Sequence, residues 1–278
     1  MACPEIVAFL LDGLDFEVNG TNRATFENVS LGGGINYRPT DSILAYAKVV
    51  EGFKAGGFNP IAATRELQPF DSEESISYEI GLKTELFDHR LRLNFAAFLQ
   101  DRKGTLVEIQ DPLIDVLELG VNAGKVRNKG LELEATAAPV EGLLISVAAG
   151  YLDAKFREFE FGDDNFTGNR VPKTFKYSLS TIVTYERPIT EEVNLFSYAS
   201  YRNAWDGFTD NDNGHKMSNP ELVDIRLGVT SNDGWRVNGF VDNLFDNRYT
   251  TLDIAGTRIP RGTYSPGRTY GIQVSKEF

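Results

Sequence analysis

Five short polar turns alternate with five long polar loops along this 278-residue chain, and that alternation gives it two unlike ends. The turns are Arg38-Pro39-Thr40-Asp41, Asp88-His89, Pro139-Val140-Glu141-Gly142, Pro188-Ile189-Thr190-Glu191 and Ser231-Asn232-Asp233-Gly234, built from residues that favour turn backbone. The loops fall between them, over residues 59–73, 110–122, 162–171, 206–219 and 250–266, rich in Asp, Asn, Gly and Pro. A soluble sandwich has no reason to sort its connections by length. A membrane-spanning barrel does, with short turns on the periplasmic side and long loops outside.

The intervening segments alternate apolar and polar residues with the period of a strand. Ile76, Tyr78, Ile80 and Leu82 share one face against Ser77, Glu79, Gly81 and Lys83, and Leu91, Leu93, Phe95, Ala97 and Leu99 oppose Arg90, Arg92, Asn94 and Gln100. The pattern returns in Leu131-Leu133-Ala135, Phe175 to Tyr185, Val223 to Val229, Trp235 to Val241 and Tyr270 to Val274. Phe98 and Leu144 fall on the wet side, and Val193 to Tyr201 is apolar on both faces, so no lipid face is assigned there. Eleven strands are expected, near 27–37, 42–58, 74–87, 90–109, 124–138, 143–161, 172–187, 192–205, 221–230, 235–249 and 268–278. Residues 90–109 and 143–161 exceed the roughly nine to eleven residues that cross a bilayer, so they are expected to project beyond it. Phe53, Phe58, Phe87, Tyr185, Trp205, Trp235 and Tyr270 near strand ends suit interfacial girdles, or simply fill sheet surface.

Composition narrows the classes. A hydrophobic content of 41% with mean hydropathy −0.26 suits a soluble protein, and equally a barrel that shows lipid only alternate residues. No apolar run is long enough for a transmembrane helix. A net charge of −12 leaves no basic patch for nucleic acid. A single Cys3 excludes an internal disulfide, and two His leave little for a His/Cys metal site. Ile6 to Leu11 is short, follows Glu5 and lacks a basic flank, so no secretory signal is read and an upstream portion of the chain is expected.

Several words in the sequence are specific. They are Ala45 to Pro60 (AYAKVVEGFKAGGFNP, with Gly52), Ser77 to Phe87 (SYEIGLKTELF), Asn122 to Glu134 (NAGKVRNKGLELE, with Gly124 and Gly130), Asp242 to Tyr249 (DNLFDNRY, with Asn243, Leu244, Phe245 and Asp246) and Pro266 to Tyr270 (PGRTY, with Arg268). In this order, from about residue 27 to the last residue, they resemble the barrel of TonB-dependent outer-membrane receptors. The resemblance implies an all-β antiparallel transmembrane β-barrel, here about eleven strands of a 22-stranded wall. Residues 1–26 would be a remnant of an upstream strand or loop, and 27–278 a carboxy-terminal barrel segment. Family members carry an amino-terminal plug and a TonB-engaging segment, and nothing here resembles either. TonB is therefore expected as a partner only through that absent plug. Phe278, on one face with Val274, Ile272 and Tyr270, resembles the signal read by the barrel-assembly machinery, although Lys276 departs from its apolar spacing. The resemblance places the protein in the bacterial outer membrane, in contact with its lipid, with the carboxy terminus periplasmic. The ligand would be a small molecule, a ferric siderophore foremost, or cobalamin, haem or a glycan, with no cofactor.

The residues also support a structural reading of these words. Asn122 to Gly130 places a bend where a loop re-enters a strand, and Asn243 to Tyr249 breaks the alternation after Val241, as a bulge would. Two stretches are candidates for ligand contact, against ordinary loop packing: Phe53, Lys54, Phe58 and Arg65 in one, and Trp205, Phe208 and His215 in the other. Asp210-Asn211-Asp212-Asn213-Gly214 superficially resembles a calcium loop, but its glycine comes one position early and no helical pattern flanks it. No hydrolase, nucleotide or zinc-protease motif is present, so no catalysis is expected. Three alternatives remain open: a passive channel or structural barrel made by a short chain, a closed twelve-stranded barrel using residues 5–18, and a soluble β-sandwich.

Overall fold

The computed structural model describes residues 22–60, 62, 64–110, 118–254 and 261–277. Eleven strands form one antiparallel sheet in which every strand pairs with its sequence neighbours. They are β1 (Gly32–Thr40), β2 (Ile43–Lys54), β3 (Glu73–Leu86), β4 (Leu91–Gln110), β5 (Glu118–Ala137), β6 (Leu143–Glu158), β7 (Phe175–Pro188), β8 (Val193–Gly207), β9 (Glu221–Ser231), β10 (Trp235–Asp242) and β11 (Thr269–Lys276). Three two-stranded ribbons, Gly57–Phe58 with Pro69–Phe70, Glu160–Phe161 with Asp164–Asn165, and Thr250–Ile254 with Arg261–Tyr264, all lie in the long connections. The strands fall where the alternation puts them, with differences at their ends: β2 stops at Lys54 and β6 at Glu158, short of the expected 58 and 161, and three more stand out. β1 starts at Gly32, β5 starts at Glu118 inside the expected 110–122 loop, and β10 stops at Asp242 where Asn243 turns to φ 54°. Residues 5–18 and Phe278 lie outside the described residues.

Register shows how one backbone separates two solvents. Cα partners run from Tyr37 through Ala45, Leu82, Phe95, Leu133 and Ala149 to Leu179, so apolar side chains line up on one face across seven strands. The belt is exposed: Ile80 is 61% accessible, Leu227 57% and Ile272 78%. Water tolerates single exposed apolar residues but not a continuous belt, and hydrocarbon does. On β4 the belt runs from Leu91 to Leu99, a bilayer's worth of tilted strand. Asp101 then takes the next outward position, where Arg127 Nε and Nη2 donate to its carboxylate at 2.6 and 2.8 Å and hold it below the usual carboxylate range.

The belt also slides along the sheet. One row of partners, Leu91, Ala137, Ile145, Val183, Ala199, Ile225, Val241 and Tyr270, sits at the short-turn end of β4 but at the long-loop end of β11. That stagger is the signature of strands inclined to a barrel axis.

The opposite face is polar, and its large residues lie against glycines. Tyr46 pairs with Gly81, Phe98 with Gly130 and Phe240 with Gly271. A Cβ at Gly81 would come within 2.4 Å of the Tyr46 ring, and one at Gly130 within 2.5 Å of the Phe98 ring. Phe98 therefore fits on the wet side because its partner has no side chain. The ambiguous segment in β8 resolves the same way. Phe196 and Tyr198 face the polar side, with the Arg236 and Arg226 guanidinium groups over their rings at 5.5 and 5.6 Å.

Leu133 lies mid-belt on β5, so Leu133→Arg is expected to destabilise the full-length protein in lipid vesicles by about 2–4 kcal/mol. Its neighbour Glu134, on the polar face and bonded by Asn94 at 3.2 Å, is expected to tolerate Glu134→Gln at under about 1 kcal/mol. Reversible urea unfolding in vesicles measures both.

Candidate functional site: the polar face and the long-loop rim

The polar face carries several hydrogen-bonded clusters. Glu79 accepts from the Tyr46 hydroxyl at 2.7 Å and from Lys48 Nζ at 3.0 Å. Higher on the wall, Asn128 donates to Gln100 and Gln100 to Ser77, each at 3.0 Å. Toward the other edge, Asp224 is buried and collects Ser200 Oγ at 3.2 Å, Arg202 Nη2 at 2.8 Å and the Asn243 amide at 2.9 Å. Between these groups lies a shallow groove of ≈ 530 Å³, floored by Ala148, Gly150, Ser178 and Ser180 and walled by Glu132, Glu134 and Arg202. Small residues in the middle with opposite charges at the sides leave room for a polar body to pack against the wall.

At the long-loop rim β4 and β5 rise beyond the belt and the loops are lashed to them. Asn59 Nδ2 donates to the carbonyls of Leu67 and Gly120 at 2.8 and 2.9 Å, and its Oδ1 accepts the Gly120 amide at 2.9 Å. Asn122 does the same with both backbone groups of Asp71, at 2.7 and 3.0 Å, and also donates to the Gly104 carbonyl at 2.7 Å. Lys173 reaches Glu108 at 2.5 Å, and Asn211 donates to the Glu108 carbonyl at 3.0 Å. Beneath them Ala62, Val107, Ile109, Leu119, Val126, Phe156, Phe159 and Phe166 form the one dry core found among the described residues, with Leu119 and Phe156 fully inaccessible. Sequence reading misses this core because it takes 110–122 and 162–171 as plain solvated loops. The signals were Val107 and Ile109 facing Leu119 and Val121, and the closely spaced Phe156, Phe159 and Phe166.

The proposed contact residues form two groups on this rim. Lys54 ends β2 and is exposed, Phe58 is half-buried in its ribbon, and Arg65 is exposed in a 3-10 turn. Phe53 shares the outward face with Val49 and Glu51. Phe208 packs under the Arg170 guanidinium at 5.4 Å, which also holds the Asp206 carboxylate at 2.9 Å. His215 Nδ1 lies 2.5 Å from Asp210 Oδ2, while Asp210 Oδ1 accepts the Gly214 amide at 2.9 Å. Both Asp210 oxygens thus serve their own turn, and among the described residues no group of three or more His, Cys, Asp or Glu converges. Trp205 lies elsewhere: it stacks on Tyr177 at 5.3 Å on the outward face, beside Tyr151, as a girdle residue does.

The sequence words have structural tasks. A Cβ at Gly52 would meet Ser75 Oγ at 2.6 Å, and one at Gly124 the Glu158 carbonyl at 2.9 Å. Asn243 is buried, donates to the Asn247 carbonyl at 2.8 Å and accepts its amide at 2.9 Å. The Leu244 amide bonds Val223 O at 2.8 Å, Arg268 Nη1 bonds Leu244 O at 3.2 Å, and the Tyr249 amide bonds Ser265 Oγ at 3.1 Å. The Arg268 amide donates to Asp246 at 2.8 Å and pulls that carboxyl below its ordinary range. Phe245 stands exposed beside this knot. Together they close the turn that ends β10.

An exposed belt, a polar inner face, staggered strands and lashed loops define a transmembrane barrel wall with a structured loop rim. The chain belongs to the family described as TonB dependent receptor-like, beta-barrel, whose sequence model matches residues 11–244. It is 28% identical over 243 residues to the pesticin receptor of Yersinia pestis, covering 87% of this chain and 35% of that protein. It is 29% identical over 221 residues to the metal-pseudopaline receptor CntO of Pseudomonas aeruginosa, covering 78% and 29%. The crystal structure of the ferric yersiniabactin uptake receptor FyuA from Yersinia pestis superposes with TM-score 0.73 at 28% identity, over 90% of this chain and 37% of that one. The chain spans about a third of the length of these relatives. They are receptors and transporters rather than enzymes.

Asn59→Ala removes three hydrogen bonds from a buried site, which costs about 1–2 kcal/mol and opens the 55–72 loop roughly tenfold more often. Trypsin cleavage at Arg65 in the folded full-length protein should accelerate accordingly. An unchanged cleavage rate would show that the loop is held by other contacts.

Proposed function

We propose that this chain supplies the carboxy-terminal part of the barrel wall, and the loops above it, in a TonB-dependent receptor that imports a scarce ligand across the bacterial outer membrane. The observation that carries the reading is that 90% of this chain, most of it one eleven-stranded sheet, superposes on an uptake receptor with TM-score 0.73 at 28% identity. The ligand class we propose is a ferric siderophore, since relatives are named for ferric yersiniabactin uptake, metal-pseudopaline and ferric pyoverdine. Cobalamin, haem or a glycan are the other classes that the family admits.

In this reading the long loops face outward and the short turns, with the carboxy terminus, face the periplasm. Phe278 would then present the signal for the barrel-assembly machinery. Residues 27–278 would be barrel and 1–26 an upstream strand or loop. Among the described residues β1 and β11 each pair on one side only, and an open sheet edge is costly in hydrocarbon. Further strands of a 22-stranded wall would close it. A plug would pack on the polar face, its force-bearing segment would engage TonB, and the ligand would first meet the rim groups around Lys54, Phe58 and Arg65 and around Phe208 and His215.

Uptake of radiolabelled ferric siderophores by cells with and without the full-length receptor, in the presence and absence of TonB, tests this. Uptake of at least one ligand should require both proteins. Uptake that is independent of both for every candidate ligand would refute it.

A further inference from the structure

Above the belt, the outward face of β4, β5 and β6 changes from apolar to basic. Three successive rows of partners carry Leu99, Lys129 and Asp153, then Asp101, Arg127 and Lys155, then Lys103, Lys125 and Glu158. Arg157 stands in the β6 bulge next to these rows, close enough to Asp101 to lower that carboxyl by its charge. Six cations, Lys103, Lys125, Arg127, Lys129, Lys155 and Arg157, therefore meet three anions, with Glu74 opposite Lys103 at the margin. This excess occurs in a chain whose net charge is −12. The ion pairs within the patch leave its cations accessible: Lys125 is 2.6 Å from Glu158 yet its side chain is 53% exposed, and Lys129 is 3.4 Å from Asp153 and 58% exposed.

Position decides what such a patch meets. The lumen side of the same strands is filled by Val126, Phe156 and the dry core, so the cations project away from the barrel. They begin at the last apolar row, beside the girdle of Tyr151, Tyr177 and Trp205, where headgroups lie. Neighbouring strands are about 4.8 Å apart and same-face residues about 7 Å apart along a strand, a spacing that lets two or three ammonium groups share one phosphate.

We propose that this outward basic patch on β4–β6 binds the phosphate groups of a phosphorylated glycolipid in the outer leaflet, anchoring the projecting strands at a fixed height. It rests on the orientation proposed above. Clustered lysines and arginines at a membrane surface attract anionic headgroups in this way.

The test uses full-length receptor in a non-ionic detergent, followed by native mass spectrometry during titration with diphosphoryl lipid A, its dephosphorylated form, or inorganic phosphate. The parent should retain diphosphoryl lipid A, and the variant carrying Lys103→Gln, Lys125→Gln and Lys129→Gln should bind it at least about tenfold more weakly. The corresponding Lys→Arg variant should bind like the parent, which separates charge loss from misfolding. Equal binding by the Gln variant, equal retention of the dephosphorylated lipid, or equally tight binding of inorganic phosphate would each overturn the proposal. Orientation is read separately by labelling Lys103→Cys on intact cells with a membrane-impermeant maleimide. Labelling supports the outward position; protection overturns the orientation and this assignment with it.

Discussion

The rest of the structure depends on the antiparallel hydrogen-bond ladder, which satisfies the backbone of each interior strand laterally and frees the side chains to face two solvents. From β1 to β11 each strand pairs with its sequence neighbour, so no crossover has to be threaded through hydrocarbon. Once the backbone is satisfied, a shift by one residue would exchange belt and lumen; from β2 to β6 the paired rows run through the belt without such a slip, and the shift between β1 and β2 falls at their short turn, between Tyr37 and Thr40. The bulge opposite Lys125 lies above the belt, where both faces meet water or protein.

Loops and wall obey different rules. The wall needs only alternation, with glycine partners admitting Tyr46, Phe98 and Phe240 on the wet face. The long-loop rim needs fixed shape, and obtains it from asparagine side chains that imitate a strand edge. Asn59 bonds both backbone groups of Gly120, and Asn122 both of Asp71. A compact apolar core lies alongside, with Leu119 beside the Gly120 that Asn59 clasps. A rim built this way holds the segments that carry Arg65, Phe208 and His215 in fixed positions.

Much of the wall was legible because a period of two, broken by turn residues, leaves few other folds open. Ile76 to Leu82 and Leu91 to Leu99 read correctly from alternation alone. The bend after β10 was legible too, since Asn243 interrupts the pattern after Val241 and a short polar side chain readily takes its left-handed backbone, although the strand was expected to run on to 249 and stops at Asp242. The rim was not. Its core joins residues from four separate segments, and no local period marks Ala62, Leu119 and Phe166 as neighbours. Nor could alternation separate Trp205 from Phe208, three residues on, although one stacks outward on Tyr177 and the other packs against Arg170 in the rim. The stagger that carries the belt from the foot of β4 to the top of β11 emerges only when the registers of all the pairs are chained together.

Spin labels placed singly at each residue from 91 to 105 of β4, in the full-length protein in lipid bilayers, test the central claim most directly. Oxygen accessibility should alternate with period two, high at 91, 93, 95, 97 and 99, and give way at 101 and 103 to accessibility toward a water-soluble nickel complex, while buried Thr105 answers to neither probe. Loss of the alternation, or oxygen dominance continuing through 101 and 103, would contradict a wall whose every second side chain faces acyl chains up to Leu99 and leaves them at Asp101.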